Sequence, residues 1–480
     1  MTTLVEAFAA RVAHSPDAPA ILDPSGDVTT YAALDRRSSA FAARLGSRGL
    51  QKGDRVLVAA PVTADLYVIL AGIWKAGLVA VFPEPAMGLQ GLLHAVRTTR
   101  PAALATAGPY WLLRLLPVLW RVALLRVEHA GPETCRPVDL EPGDPALISF
   151  TSGSSGVPKG IQRSHGFLMA QNAAVAPLLA SDRPERDLVG FPVFVLVNLA
   201  AGRCSVLPNW PLTHQDRADA GALRAWMIRS GANRLLLPPS ICETLAQTGV
   251  PPQVTTIFTG GGPVFPDTIQ RLLAGRPDLR IVAVYGSTEA EPIAEIGTEA
   301  ISDADWAEME AGGGLLAGPP VPGIALRLVD GEIQVAGEHV NNGYIDPAQD
   351  AGRKIHEDGR VWHRTGDAAR LDDRGRLWLL GRWQEGGLSH PMPLQVETAA
   401  RHWPGVRRAA LVRQHSKPDV LAIEGDPHQI EDWRRTARAH GVDRVVCVEH
   451  IPMDRRHASK VDENRLRRRL ARQIGTGGAA

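Results

Sequence analysis

The sequence predicts an α/β fold of parallel sheets covered by helices, followed by an antiparallel β-element and a small closing α+β unit. Three observations predict it. Short apolar runs recur at residues 55–60, 79–82, 235–237, 255–258 and 281–285. Helical stretches such as residues 220–230 and 268–274 separate them, an alternation that belongs to parallel sheets with helices on the faces. From Gly318 the runs become short and bounded by Gly and Asp, at residues 324–329, 332–335, 361–363 and 377–380, which suits antiparallel strands.

Taken in order, residues 8–50 read as largely helical, with a turn at residues 24–27, and Gly53 and Asp54 lead into the first strand. Residues 110–127 are the most apolar stretch, yet Arg114, Pro117, Arg121 and Arg126 interrupt it. A spanning helix needs about 20 mostly apolar residues, so this stretch reads as a buried or interfacial helix, or a surface that meets membrane or greasy substrate. Residues 146–150 form an apolar run before a Gly/Ser-rich loop, and a helix is expected to begin near His165. Past Gly381 and Arg382 comes a Gly- and Pro-containing segment, then a helix near residues 396–402, strands near 409–412 and 444–448, and a helix from Asp462. The boundary is placed there, giving units of residues 1–381 and 382–480.

A chain of 480 residues holds more than one core. Its 45% apolar and 21% charged residues are ordinary for a soluble globular protein. With 52 basic and 51 acidic residues, nothing in the balance points to a nucleic-acid partner. Cys135, Cys204, Cys242 and Cys447 lie far apart, with neither a disulfide framework nor a zinc spacing, as expected in a reducing cytoplasm. The N-terminus carries no basic-then-apolar signal pattern.

Chemistry concentrates in five segments. Thr151, Ser152, Gly153, Ser154, Ser155 and Gly156 lead to Lys159 and Gly160, a loop whose N–H groups and hydroxyls can face phosphate oxygens with a lysine beside them. Because Gly160 follows Lys159, it is not the usual nucleoside-triphosphatase loop. Gly260, Gly261, Gly262 and Pro263 follow a strand, and glycines there permit close approach of a flat ligand. Tyr285, Gly286, Ser287, Thr288 and Glu289 end another strand with an aromatic face, hydroxyls and a carboxylate together. Thr365, Gly366 and Asp367 read as a β-turn bearing one exposed carboxylate, suited to two vicinal ribose hydroxyls. Lys460 sits near the chain end among basic neighbours.

In this order the segments resemble the adenylate-forming superfamily of acyl-CoA synthetases, luciferases and peptide-synthetase adenylation domains, over nearly the whole chain. The resemblance implies a large N-terminal domain of parallel-sheet subdomains plus a distorted β-barrel, with a small mobile C-terminal domain. It implies that residues 151–160 form the triphosphate loop, that Gly260 to Pro263 and Tyr285 wall the adenine, and that Thr288 and Glu289 meet the α-phosphate and Mg²⁺. Asp367 matches the ribose-binding acid, Arg382 the arginine opening the interdomain hinge, and Lys460 the lysine bridging substrate carboxylate and α-phosphate. ATP and Mg²⁺ are the implied cofactors. A carboxylate attacking a phosphate brings two anions together, so the site must supply cations.

Within the superfamily, residues 83–88, 359–367, 404–412 and 454–461 resemble the β-lactone synthetases of olefin biosynthesis. There the adenylate of a β-hydroxy acid is attacked by its own hydroxyl. The segment after Arg382 (Trp383, Gln384, Glu385, Gly386, Gly387) lacks the usual basic hinge, which sets a CoA half-reaction below lactone closure. Phe191, Val195 and Asn198, with Gly262, are expected to line the acyl pocket, whose apolar character points to a hydrophobic acid. A thioester to CoA or an acyl carrier protein is the alternative second step, with that carrier or upstream pathway enzymes as partners. A non-catalytic nucleotide-binding scaffold is the remote alternative, opposed by Lys159, Glu289, Asp367 and Lys460 occurring together.

Overall fold

A computed structural model describes residues 2–127, 135–151, 158–384, 387–388, 391–413, 418–454 and 458–476. Two sheets with parallel centres form the large lobe. One has eight strands, in the order Ala290–Gly297, Arg280–Ser287, Thr256–Gly260, Arg234–Leu237, Arg186–Val189, Cys204–Val206, Pro19–Leu22 and Val28–Thr30. Its inner strands are parallel and only the two edge pairs are antiparallel. The other has six, in the order Ala123–Arg126, Ala103–Thr106, Arg55–Ala59, Val79–Phe82, Pro145–Thr151 and Lys159–Ser164, antiparallel only at the last pair. Both read as near-continuous apolar strands because helices cover their faces.

The helices Tyr31–Ser47 and Ala64–Lys75 pack between the sheets, burying Leu34, Phe41, Ile69 and Ile73 in one core with Ile21 and Val56. Each such fully buried side chain contributes roughly 1.5–3 kcal/mol relative to exposure. Local signals set the helix starts: Thr30 and Ser164 accept the N–H groups of Ala33 and Phe167, at 3.2 and 3.1 Å, as N-caps.

A third, antiparallel sheet follows, in the order Leu315–Gly318, Leu377–Arg382, Arg360–Leu371, Glu332–Ala336 and Ala325–Val329, with Lys354–Glu357 beside Arg360–Leu371. It forms an open half-barrel. Asp330 and Gly331, with φ of 50° and 81°, make the tight two-residue hairpin that joins Val329 to Glu332. The small lobe carries a three-stranded sheet, Val406–Val412, Val420–Gly425 and Arg444–Cys447. The helices Pro393–Ala400 and Ile430–Ala439 pack on one side, around Trp433, and Glu463–Thr476 on the other, around Leu466.

Three expectations are corrected. Residues 8–50 are not largely helical: the strands Pro19–Leu22 and Val28–Thr30 divide them, because Ala20, Ile21 and Leu22 complete the eight-stranded sheet. Residues 110–127 form no α-helix but tight 3₁₀ turns, Gly108–Leu115 and Pro117–Leu119, then the edge strand Ala123–Arg126, since Pro117 cannot continue an α-helix across the stretch. Thr365, Gly366 and Asp367 do not make a turn. They lie inside the long strand Arg360–Leu371, where Gly366 at φ 69° and a register shift at Ala368 bend the backbone.

Candidate active site

The cleft between the lobes holds a cavity of about 560 Å³. Its wall brings together Lys159, Gly261, Gly262, Pro263, Tyr285, Gly286, Ser287, Thr288, Glu289, Asp367, Arg382 and Lys460. These residues come from four strand ends, the bent interior of the strand Arg360–Leu371 and one loop of the small lobe. Thr151 closes the strand Pro145–Thr151, while Ser152, Gly153, Ser154, Ser155 and Gly156 lie outside the described residues. Lys159 opens the antiparallel return strand Lys159–Ser164, which fixes its position.

On one wall, Asp367 accepts a hydrogen bond from the Tyr285 hydroxyl at 2.8 Å and one from Arg382 Nη1 at 2.6 Å. Strand pairing sets this: Asp367 faces Arg382 across neighbouring strands. The Asp367 charge holds the Arg382 guanidinium above its ordinary value. Burial, then the same carboxylate, pushes the Tyr285 phenol well up, so it stays a donor.

Glu289 lies in the tight connection between the strands Arg280–Ser287 and Ala290–Gly297. Its Oε1 accepts from the Tyr344 hydroxyl at 3.0 Å. Lys159 and Lys354 place their ammonium groups 4.9 and 5.6 Å from the centre of the same Tyr344 ring. Burial works to raise the Glu289 carboxyl, but its neighbours outweigh it, among them His363, the Tyr344 hydrogen bond and the Lys354 charge, and it lies below its ordinary value. Burial, reinforced by Lys354, pushes His363 down to about 3, and burial pulls Lys354 to about 8. At neutral pH the corner therefore holds a carboxylate, an uncharged imidazole and a cation. Behind it, buried Arg163 ties the connection down, donating to the Thr288 carbonyl at 2.6 Å and to Ser149 Oγ at 2.7 Å.

Lys460 enters from the small lobe. The Asp454 carboxylate accepts the N–H groups of Ser459 and Lys460 at 3.0 and 2.9 Å, which shapes the loop that presents the lysine. That loop seats on the glycine segment. A side chain at Gly262 would meet Ser459 Cβ at 2.5 Å, and the Ser240 N–H donates to Ser459 Oγ at 3.3 Å. A second clamp lies beside it. Arg401, its side chain 4% exposed, donates to Asp267 at 2.7 and 3.1 Å and to Glu243 at 2.8 Å, and Arg408 reaches the other Glu243 oxygen at 2.5 Å.

Some sequence expectations fall elsewhere. Gly260 is not on the cavity wall; a Cβ there would meet the Val284 carbonyl at 2.3 Å, so its glycine serves strand packing. Phe191, Val195 and Asn198 do not line the cavity either. Val195 and Asn198 are wholly buried in and beside the helix Phe194–Ala201, and the Asn198 side chain bonds Ser205 Oγ and Arg203 Nε. Val195 and Asn198 thus belong to the core and not to a pocket, while Phe191 is half-buried with its ring edge-on to Phe194. Conversely, Tyr344, Lys354, His363, Arg163 and Asp454 were not picked from sequence. The residues before Asp367 carried the one usable signal, a histidine two positions from the Thr-Gly-Asp run.

The chemistry of the wall fits a nucleotide with a divalent ion. Ser287 Oγ and His363 Nδ1 are buried polar atoms without a partner among the described residues, and both residues line the cavity. Among the described residues no three metal-ligating side chains gather. Mg²⁺ commonly takes one or two carboxylates, with phosphate oxygens and water completing its shell, and Glu289 would be the carboxylate to hold it here.

This is the site of an adenylate-forming ligase. The chain belongs to the AMP-binding enzyme family, whose pattern matches residues 8–345. At 31% identity, covering 97% of both chains, it is similar to the olefin beta-lactone synthetase of Xanthomonas campestris pv. campestris. It is 30% identical to that of Stenotrophomonas maltophilia, over 92% of this chain and 91% of the relative. Its fold superposes on ATP-bound MatB from Rhodopseudomonas palustris with a TM-score of 0.80 at 21% identity, over 98% of this chain and 100% of the other. Both of these relatives thus fall in the subgroup that the sequence resembles.

Proposed function

We propose that this enzyme activates a 3-hydroxy fatty acid with MgATP and then closes the adenylate to a β-lactone. The observation that carries the reading is the meeting of Lys460 with Glu289, Asp367 and Tyr285 around one cavity. In the first step a carboxylate oxygen attacks the α-phosphorus, an acyl–phosphate bond forms, and pyrophosphate leaves. Lys460 offsets the charge between carboxylate and α-phosphate, Thr288 donates to the α-phosphate, and Asp367 accepts the ribose hydroxyls. Tyr285, Gly261, Gly262 and Pro263 wall the base, Arg382 holds Asp367, and the 151–160 loop with Lys159 takes the β- and γ-phosphates. Bound at Glu289, Mg²⁺ would neutralise phosphate charge. In the second step the 3-hydroxyl oxygen attacks the acyl carbon, AMP leaves with the bonding pair, and the hydroxyl proton is released.

Support for a hydrophobic acid comes from the apolar part of the wall, including Val264, Phe265, Leu394, Leu411, Ile451 and Met453. Support for lactone closure comes from the relatives and from the non-basic segment after Arg382. Residues 1–381 would act as the adenylating unit and 382–480 as a lid. Four scattered free-thiol cysteines suit a cytoplasmic setting, with an acyl carrier protein or upstream enzymes supplying the acid.

The test is product analysis by mass spectrometry after incubating acids with and without a 3-hydroxyl with MgATP alone. AMP release and a lactone mass only from the 3-hydroxy acids support the reading. CoA-dependent turnover of plain fatty acids overturns it in favour of a thioester ligase.

A further inference from the structure

The 3₁₀ turns Gly108–Leu115 and Pro117–Leu119 are apolar on both sides. Leu113, Leu116 and Leu119 point inward and pack on the core of the six-stranded sheet, with Leu104 and Phe150. That contact explains the fold of the segment. It does not explain Tyr110, Trp111, Leu112, Leu115, Val118 and Trp120, which all face outward, Leu115 and Trp120 with 68% and 61% of their surface exposed. Isolated apolar residues on a surface need no explanation, but a contiguous group of six marks a contact site.

The turns hold this face rigidly. Arg114 Nη1 donates to the Leu119 carbonyl at 3.1 Å and also to the Val122 carbonyl, while Trp120 Nε1 donates to the Leu115 carbonyl at 3.2 Å. The stretch of chain that carries it holds charge of one sign. From residue 85 to residue 127 there is no Asp or Glu, but there are five arginines, in a chain whose overall formal charge is only +1. Arg121 and Arg126 are exposed; the Arg126 guanidinium lies 5.9 Å from the Trp111 ring centre, and Arg44 donates to the Arg126 carbonyl at 2.7 Å.

We propose that this face docks the enzyme on an anionic phospholipid surface. Tryptophans settle at the headgroup level, leucines enter the acyl boundary, and arginines meet lipid phosphates. A second copy of the chain is disfavoured as occupant, because a symmetric contact would set the arginines against themselves. The proposal does not depend on which acid the enzyme activates.

The test is co-sedimentation of the full-length protein with phosphatidylcholine vesicles, pure or containing about a quarter phosphatidylglycerol as the anionic lipid. Leu115→Ser/Trp120→Ser and Arg121→Glu/Arg126→Glu are compared with wild type, each checked for unchanged melting temperature and unchanged pyrophosphate exchange with a soluble acid. Wild type is expected to partition onto the anionic vesicles, each double variant on the order of tenfold less. No partitioning of wild type, equal partitioning onto neutral vesicles, or variants binding like wild type would overturn the proposal. So would a lipid-free dimer or protein complex that the same substitutions dissolve.

Discussion

Replacing Arg401 with methionine should uncouple nucleotide binding from adenylation. Arg401 projects from the small lobe, stacks 4.4 Å from the Phe265 ring centre and bonds two carboxylates of the large lobe, Asp267 and Glu243. Burial alone would lower its pKa, but Asp267 and Glu243 outweigh it and hold the charge. Breaking a fully buried pair costs about 3–5 kcal/mol. Asp267 and Glu243 keep 16% and 20% side-chain exposure, and Arg408 remains on Glu243, so the loss should be smaller, about 2–3 kcal/mol. At about 1.4 kcal/mol per decade this is roughly 30- to 150-fold in the ratio of docked to undocked lobes. Pyrophosphate exchange, which needs Lys460 over the cavity, should fall by up to that factor. Nucleotide binding by calorimetry should stay within about twofold, since Asp367 and Tyr285 belong to the large lobe and share no partner with Arg401 among the described residues. Unchanged exchange would refute the clamp. Equal losses in exchange and binding would show that the substitution unfolds the protein instead.

Other outcomes follow from the same geometry. Tyr344→Phe removes the 3.0 Å hydrogen bond to Glu289 and should raise the Mg²⁺ concentration for half-maximal exchange roughly three- to tenfold, whereas Glu289→Gln should lower the rate on the order of 10²–10³, both read in a Mg²⁺ titration. Asp454→Ala frees the loop that carries Lys460 and should cut exchange roughly tenfold or more with KM for ATP little changed, seen in steady-state kinetics. Glu397 is half-buried on the cavity wall, and desolvation there raises its carboxyl from 4.5 to about 8. The folded protein then holds a proton that the unfolded chain has lost, so this group's contribution to stability declines as pH rises from about 4.5 to about 8. Glu397→Gln keeps the acceptor for the Leu411 N–H, at 2.9 Å in the wild type, and should flatten that decline in melting temperature between pH 5 and 8, about the span in which the group titrates. An unaltered slope would contradict it.

The parallel strands were legible because buried strands leave unbroken apolar runs, as at Val79–Phe82, and the glycine and hydroxyl segments because they punctuate strand ends. What failed shares a cause. Residues 191–198 and Thr365 to Asp367 were read from local composition, but burial under neighbouring helices and pairing with Leu377–Arg382 decided their form. Tyr344, Lys354 and His363 converge on Glu289 only through the third sheet, and no spacing in the chain announces a contact made by tertiary folding. Arg401 and Glu243 face each other across the lobes, so their pairing is likewise invisible along the sequence.

Isotope transfer tests the central chemistry most directly. An acid carrying heavy oxygen in both carboxylate positions is turned over with MgATP, and the products are weighed. Attack of that carboxylate on the α-phosphorus predicts AMP with one heavy oxygen and unlabelled pyrophosphate. Label in inorganic phosphate, with ADP as the nucleotide product, would mean attack at the γ-phosphorus and would contradict a site built around Asp367, Glu289 and Lys460 for adenylate formation.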